Sequence, residues 1–149
     1  MRWILGLGVA AATAFSGPAQ AQECAATVSA NDQMQFVEKE LRVSRSCTTF
    51  NLTLKHVGTL AATVMGHNWV LTTTPDYMAV ATAGMSAGPA NNYVPPGDAR
   101  VLVASKVIGG GEETTISFDA SKLEAGGAYT YFCSFPGHFA LMSGKLIVE

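Results

Sequence analysis

Phe50, Leu52, Leu54 and His56 alternate with Thr49, Asn51, Thr53 and Lys55. A period of two sorts these residues into an apolar and a polar face only if the backbone is extended. The stretch therefore commits the chain to a sheet with one buried face. The pattern recurs where Thr114, Ile116 and Phe118 alternate with Glu113, Thr115 and Ser117. Shorter β-rich runs lie at 26–29, 41–44, 68–72, 101–106, 128–133 and 145–148. Turn chemistry separates many of them, at Pro95-Pro96-Gly97-Asp98, Gly109-Gly110-Gly111 and Gly126-Gly127. About eight short strands without interleaved helices predict an all-β Greek-key sandwich rather than a parallel sheet. One segment departs from this pattern. Thr74-Pro75-Asp76 offers a cap, a proline for the first helical position and an acid in the first turn. It predicts a short helical insertion within 75–97, with a helix from Tyr77 that ends at Gly84. Ser121-Lys122-Leu123-Glu124 has capping-box spacing, with room for one helical turn.

The first 21 residues stand apart from this pattern. Arg2 precedes an uncharged, largely apolar stretch over 3–15, followed by Ser16-Gly17-Pro18-Ala19-Gln20-Ala21. A basic start, a short apolar stretch and a small-x-small site predict a secretory signal peptide over 1–21, cleaved after Ala21. The stretch is shorter than the about 20 residues a membrane span needs. The expectation is a soluble, exported product, 22–149, forming one domain without membrane insertion. Hydrophobic residues are 48% of the chain and charged residues 13%, which predicts a packed core and excludes disorder. A net charge of −2 leaves no basic field for nucleic acid.

The three cysteines are Cys24, Cys47 and Cys133. An odd number in an exported chain means one disulfide plus a thiol with another role, or an intermolecular bond. Cys24 with Cys47 is the economical pairing, with Cys133 free; spacing alone leaves the other pairings open.

Chemistry collects at two places. In Cys133-Ser134-Phe135-Pro136-Gly137-His138-Phe139-Ala140-Leu141-Met142 a cysteine ends a strand, a histidine follows in the loop, and a methionine opens the last strand. In Gly66-His67-Asn68-Trp69-Val70 a histidine begins a strand. Together they offer a thiolate, two imidazoles and a thioether, the set typical of electron-transfer copper sites. Soft sulfur suits Cu(I), imidazole is comfortable with Cu(II), and a rigid arrangement between them changes little when an electron moves. Singly, each residue has an ordinary explanation: Cys133 as an inert buried thiol, Met142 as core filler, His67 as a hydrogen-bonded strand end. His138, in an apolar loop, needs a partner. Zinc is the chemical competitor, but the thioether and the lack of a second nearby cysteine weigh against it. A cysteine–histidine hydrolase would need an oxyanion hole that the sequence does not announce.

Four stretches give a specific resemblance: Glu23-Cys24, Asn31-Asp32-Gln33-Met34-Gln35-Phe36, Val64-Met65-Gly66-His67-Asn68-Trp69-Val70-Leu71, and Phe132-Cys133 through Met142. The chain resembles the azurin family of bacterial cupredoxins over essentially all of 22–149. The Cys-x4-His-x3-Met spacing separates that family from plastocyanins, pseudoazurins and amicyanins. The resemblance implies a cupredoxin-like sandwich, a Cys24–Cys47 disulfide and one type 1 (blue) copper. It implies that His67, Cys133 and His138 hold the copper in a plane, with Met142 and the Gly66 carbonyl as weak axial neighbours. By the same resemblance Asn68 ties the ligand loops together, the Phe135 N–H bonds the Cys133 sulfur, and Trp69 is buried. Such outer contacts orient ligands and tune a metal.

The implied function is single-electron transfer in the periplasm by a monomer, with c-type cytochromes and periplasmic reductases or dehydrogenases as transient partners. The alternative is a periplasmic copper carrier or storage protein, against which a full ligand set weighs. An enzyme is not expected, because a centre with all strong positions filled has none open for substrate. Two residues depart from the family: Val57 stands where a proline is usual, and Phe139 replaces a small residue after the ligand histidine. His56 continues the inward face of its strand and is expected to be a buried, hydrogen-bonded residue near the copper, not a ligand.

Charge patterning adds a surface. Over 57–97 the one charged side chain is Asp76, and over 130–144 there is none if His138 is neutral. Buried strands explain part of this, but loops run over the surface. An exposed apolar docking patch is expected around His138, built from Phe135, Pro136, Phe139, Ala140 and Leu141. Met34, Leu60, Met65 and Met85 are its expected neighbours. Exposed apolar patches mark contact sites, and electron-transfer encounters are small and brief.

Overall fold

The alternation at residues 49–56 becomes strand β4 (Phe50–His56), with Phe50, Leu52, Leu54 and His56 buried and Asn51 and Lys55 exposed. The computed structural model describes residues 24–149; the signal peptide expected over 1–21 lies outside the described residues. Before β4 come β1 (Ala25–Asn31), β2 (Gln35–Phe36) and β3 (Glu40–Val43). After it follow α1 (Ala62–Met65), β5 (Val70–Thr73), α2 (Tyr77–Ala87), β6 (Val103–Ala104), β7 (Glu113–Phe118), β8 (Tyr129–Phe132) and β9 (Ser143–Val148).

These strands form the expected sandwich of two mixed sheets, ordered β2-β1-β4-β7 and β3-β9-β8-β5-β6. β1 runs parallel to β4 and β3 parallel to β9, while β4–β7 and β5–β8–β9 pair antiparallel. Val28, Leu52 and Leu54 of one sheet meet Leu41, Tyr131 and Leu146 of the other in a single core. Trp69 lies within it, stacked on Tyr131 at 5.5 Å and Phe118 at 6.3 Å between ring centres. The run expected at 101–106 shrinks to the two residues of β6.

The helical insertion forms where expected, with two differences. Thr74–Asp76 makes one 3₁₀ turn in which the Thr73 hydroxyl donates to Asp76 at 2.6 Å. Gly84 does not end α2. The helix continues to Ala87 and stops at Gly88, whose φ of +74° suits glycine. Gly84 is instead the point where α2 touches the following loop, since a Cβ there would lie 2.3 Å from the Tyr93 carbonyl oxygen. Helix α1 was not expected, and its Ala61 cap offers no side-chain hydrogen bond for a sequence reader to notice. The turn at Ala120–Lys122 is capped by Asp119 rather than Ser121, with Asp119 accepting from the Ser121 amide and hydroxyl.

Cys24 and Cys47 form a disulfide with Cα atoms 5.5 Å apart, and Cys133 is free and buried. The bond joins the start of β1 to the β3–β4 connection and closes a loop of 23 residues. In the chain-entropy model that stabilises the fold by about 3 kcal/mol. Denatured, metal-free protein that has not been reduced is expected to show one reactive thiol by colorimetric titration. Three thiols, or a disulfide-linked peptide containing Cys133, would contradict this pairing.

Candidate metal centre

Three backbone segments converge at one end of the sandwich. Cys133 directly follows β8, and His67 sits between α1 and β5, locked by an antiparallel bridge to Ile108. His138 lies in the loop from β8 to β9, where its carbonyl accepts from the Leu141 and Met142 amides at 3.0 and 2.8 Å. The Cys133 amide donates to the Met142 carbonyl at 3.0 Å, closing that loop at its base.

The Cys133 Sγ lies 3.8 Å from His67 Nδ1, 3.7 Å from His138 Nδ1 and 3.9 Å from the Gly66 carbonyl oxygen. The sulfur and the two imidazoles have ligand atoms within 4.8 Å of one another. An ion about 2.3 Å from sulfur and about 2.0 Å from ring nitrogen, spread trigonally, would hold S and N about 3.7 Å apart. The donor set and its span therefore fit a single transition-metal ion. His67 is oriented for it, since Nε2 donates to the Asn31 carbonyl at 2.8 Å and leaves the Nδ1 lone pair facing Cys133. Gly66 is obligatory in this packing: a Cβ would stand 2.4 Å from the Ala62 carbonyl oxygen and 2.6 Å from Val107.

Asn68 ties the segments together. Its Oδ1 accepts from the Ser134 amide at 2.8 Å, and its Nδ2 donates to the Ser134 hydroxyl and the Asn92 carbonyl, each at 2.8 Å. Ser134 and Asn92 were not anticipated. Asn92 carries a partial signal, because asparagine tolerates the left-handed backbone (φ +52°) seen there.

Electrostatics follow from burial. His67, Cys133 and Met142 are fully buried, and His138 is 4% exposed. Burial pushes the Cys133 thiol up to about 12, while the backbone N–H groups of Asn68 and Phe135 pull it down. The Phe135 amide was expected in this role; the Asn68 amide is an addition. Burial also lowers His67 to about 4 and lowers His138. At neutral pH the metal-free cage thus holds two neutral imidazoles and a thiol. A cation entering it displaces the thiol proton.

His56 is buried as expected, its ring stacked 4.4 Å from that of His67. Its Nδ1 accepts from the Gly58 amide at 3.1 Å, so Nε2 carries the proton and donates to the Met65 carbonyl at 2.9 Å. The Asp32 carboxylate lies 3.8 Å from Nε2. Val57 is exposed beside it.

Around the site, Leu141 is 63% exposed, Met85 43% and Leu60 40%. Pro136 and Ala140 are also exposed, whereas Met34, Met65 and Phe135 are half-buried. Val64 on α1 is 62% exposed and was not anticipated. Phe139 is half-buried and packs against the cluster of Val70, Val80, Ala81 and Phe132. The surroundings are also less uncharged than the local sequence indicates, because the Lys39 ammonium donates to the Leu141 carbonyl at 3.4 Å.

Known proteins resemble this chain over most of its length. The family model for copper binding proteins of the plastocyanin/azurin family matches residues 22–149. An azurin of Bordetella pertussis is 53% identical over 143 residues, covering 96% of this chain and 95% of that one. Azurin-1 of Alcaligenes xylosoxydans xylosoxydans is 57% identical over 124 residues, covering 83% and 96%. A solved azurin structure (Az-iso2) from Methylomonas sp. strain J superposes with a TM-score of 0.82 at 44% identity, over 86% of this chain and 99% of that one. With His67, Cys133 and His138 gathered as a candidate copper site, the chain belongs to the plastocyanin/azurin family of copper-binding proteins.

Proposed function

We propose that the chain is exported to the periplasm, loses residues 1–21, and works there as a monomeric one-electron carrier with His67, Cys133 and His138 as copper ligands. Met142 and the Gly66 carbonyl would be the copper's weaker donors in this reading. The observation that carries it is burial: each strong donor points into the cage, and of the ligand side chains His138 alone keeps any exposure. Such a centre has no route for a substrate, yet it has one imidazole edge near the surface through which an electron can pass.

Copper held there would supply a Cu(I)/Cu(II) couple between soft sulfur and imidazole. The chain's own contribution is to hold the donors still. Asn68 fixes the separation of the two ligand segments, the Asn31 carbonyl fixes the His67 ring, and the amides of Asn68 and Phe135 stabilise charge on the Cys133 sulfur. Ligands that keep their places in both oxidation states lower the cost of moving the charge. Leu141, Pro136 and Ala140 give the His138 loop an apolar face that brief contact desolvates cheaply. Transient redox proteins, such as c-type cytochromes and periplasmic reductases or dehydrogenases, are the partners this face suits. Among the described residues no helix is long and apolar enough to cross a membrane.

Leu141→Asp tests the surface without disturbing the core. Phe139→Asp does not, because its side chain packs against the α2 cluster. Even with the Lys39 ammonium near the Leu141 backbone, a carboxylate on this exposed face must shed water when a partner covers it, and that is costly. Stopped-flow electron self-exchange and reduction by a c-type cytochrome are expected to slow about tenfold or more, the effect of roughly 1.4 kcal/mol or more, with the visible spectrum unchanged. Equal rates at equal potential would place electron entry elsewhere. The ligand roles are tested separately. Cys133→Ser is expected to abolish the intense blue colour of the copper(II) form. Met142→Leu should keep that colour and raise the potential, because a weak donor to Cu(II) is lost. The same spectral effect in both variants would contradict the assignment of Cys133 as a strong donor and Met142 as a weak one.

A further inference from the structure

Tyr77, the first residue of α2, touches both the strand that leads into the ligand loop and the loop itself. Its hydroxyl donates to the Phe139 carbonyl, one residue beyond His138. Its ring meets the edge of Phe132, one residue before Cys133, with centres 5.0 Å apart and planes at 62°. The Phe139 side chain joins the same apolar cluster as Tyr77 and Phe132. Tyr77 is itself held, because the Thr73–Asp76 hydrogen bond fixes the turn that precedes it.

We infer that Tyr77 is a positioning residue for the metal centre, clamping the ligand loop against α2 so that His138 keeps its place. This rests on the copper-site reading above. The 138–142 turn is otherwise secured mainly by its own backbone bonds, from the amides of Leu141 and Met142 to the His138 carbonyl. The base of the turn is tied to the end of β8 by the Cys133 amide, which bonds the Met142 carbonyl, and the Lys39 ammonium reaches the Leu141 carbonyl. The Tyr77 hydroxyl adds the anchor at Phe139, the residue directly joined to His138. Phe139 supports the same clamp from the other side: a small residue there would leave the backbone bond without the ring that packs beside it. The Phe139 side chain is therefore part of an inward-facing contact rather than an element of the outer surface.

Tyr77→Phe removes the hydroxyl and keeps the ring against Phe132, so folding is preserved. Amide hydrogen exchange, followed by NMR in metal-free protein and in the diamagnetic copper(I) form, reads the loop directly. Leu141 and Met142 are expected to exchange about five- to tenfold faster, the size expected for one lost hydrogen bond. Amides of β4 and β7 should be unchanged, and electron self-exchange of the copper-loaded variant should slow with the spectrum preserved. Unchanged protection at Leu141 and Met142 would overturn the inference, and so would an equal loss across β4 and β7. Faster exchange with unaltered self-exchange would also overturn it, leaving Tyr77 with a structural role alone. The metal-free measurement separates these failures from that of the copper reading, which wild-type protein unable to take up copper or cycle it would reveal.

Discussion

The site depends on the side chain of Asn68. Its three hydrogen bonds join the His67 segment, the Cys133 segment and the loop after α2. Each satisfied bond contributes about 1 kcal/mol, whereas a buried polar group left without its partner costs about 1–3 kcal/mol. The arrangement is therefore stiff in both directions: the loops cannot separate without stranding buried polar atoms, and they cannot collapse without losing the geometry that satisfies them. A metal cage whose donors belong to different segments needs such a tie, because two rings and a sulfur on free loops would rearrange around any ion.

The rest of the sandwich serves that constraint. The core around Trp69 fixes β5 and β8, so the residues that flank them, His67 and Cys133, start from rigid strand ends. Close approaches then shape the loops. Gly66 lets α1 and Phe135 press against the cage, and Gly84 lets α2 meet Tyr93. Burial sets the chemistry as well, favouring neutral imidazoles and a protonated thiol in the metal-free protein. A small, buried, uncharged cage results, and a cation held by the Cys133 thiolate would replace its proton.

The sequence makes much of this legible. Period-two alternation reads directly as β4 and β7, because a half-buried strand imposes that pattern on its side chains. The candidate donors are legible through chemistry, since a thiol, two imidazoles and a thioether at those spacings have few other joint uses. Less visible is whatever depends on distant segments meeting. Ser134 and Asn92 have no local mark of being partners of Asn68. Gly84 reads as a helix stop in one dimension and is a packing contact in three. Phe139 sits in an apparently exposed apolar loop, yet α2 folds over to pack against its side chain. Lys39 reaches the Leu141 carbonyl across 102 residues of chain, so counting charges along the loop alone overstates how apolar its surroundings are.

The hydrogen bonds of His67 to Asn31 and of Asn68 to Ser134 imply that the protein, not the ion, sets the ligand geometry. Crystal structures of the metal-free, copper(I) and copper(II) forms of one preparation test it most directly. The same rotamers are expected for His67, Cys133 and His138 in all three forms, with the Asn68 bonds to Ser134 and Asn92 intact throughout. A ligand that changes rotamer, or a 133–142 loop that refolds when copper enters or changes oxidation state, would contradict it.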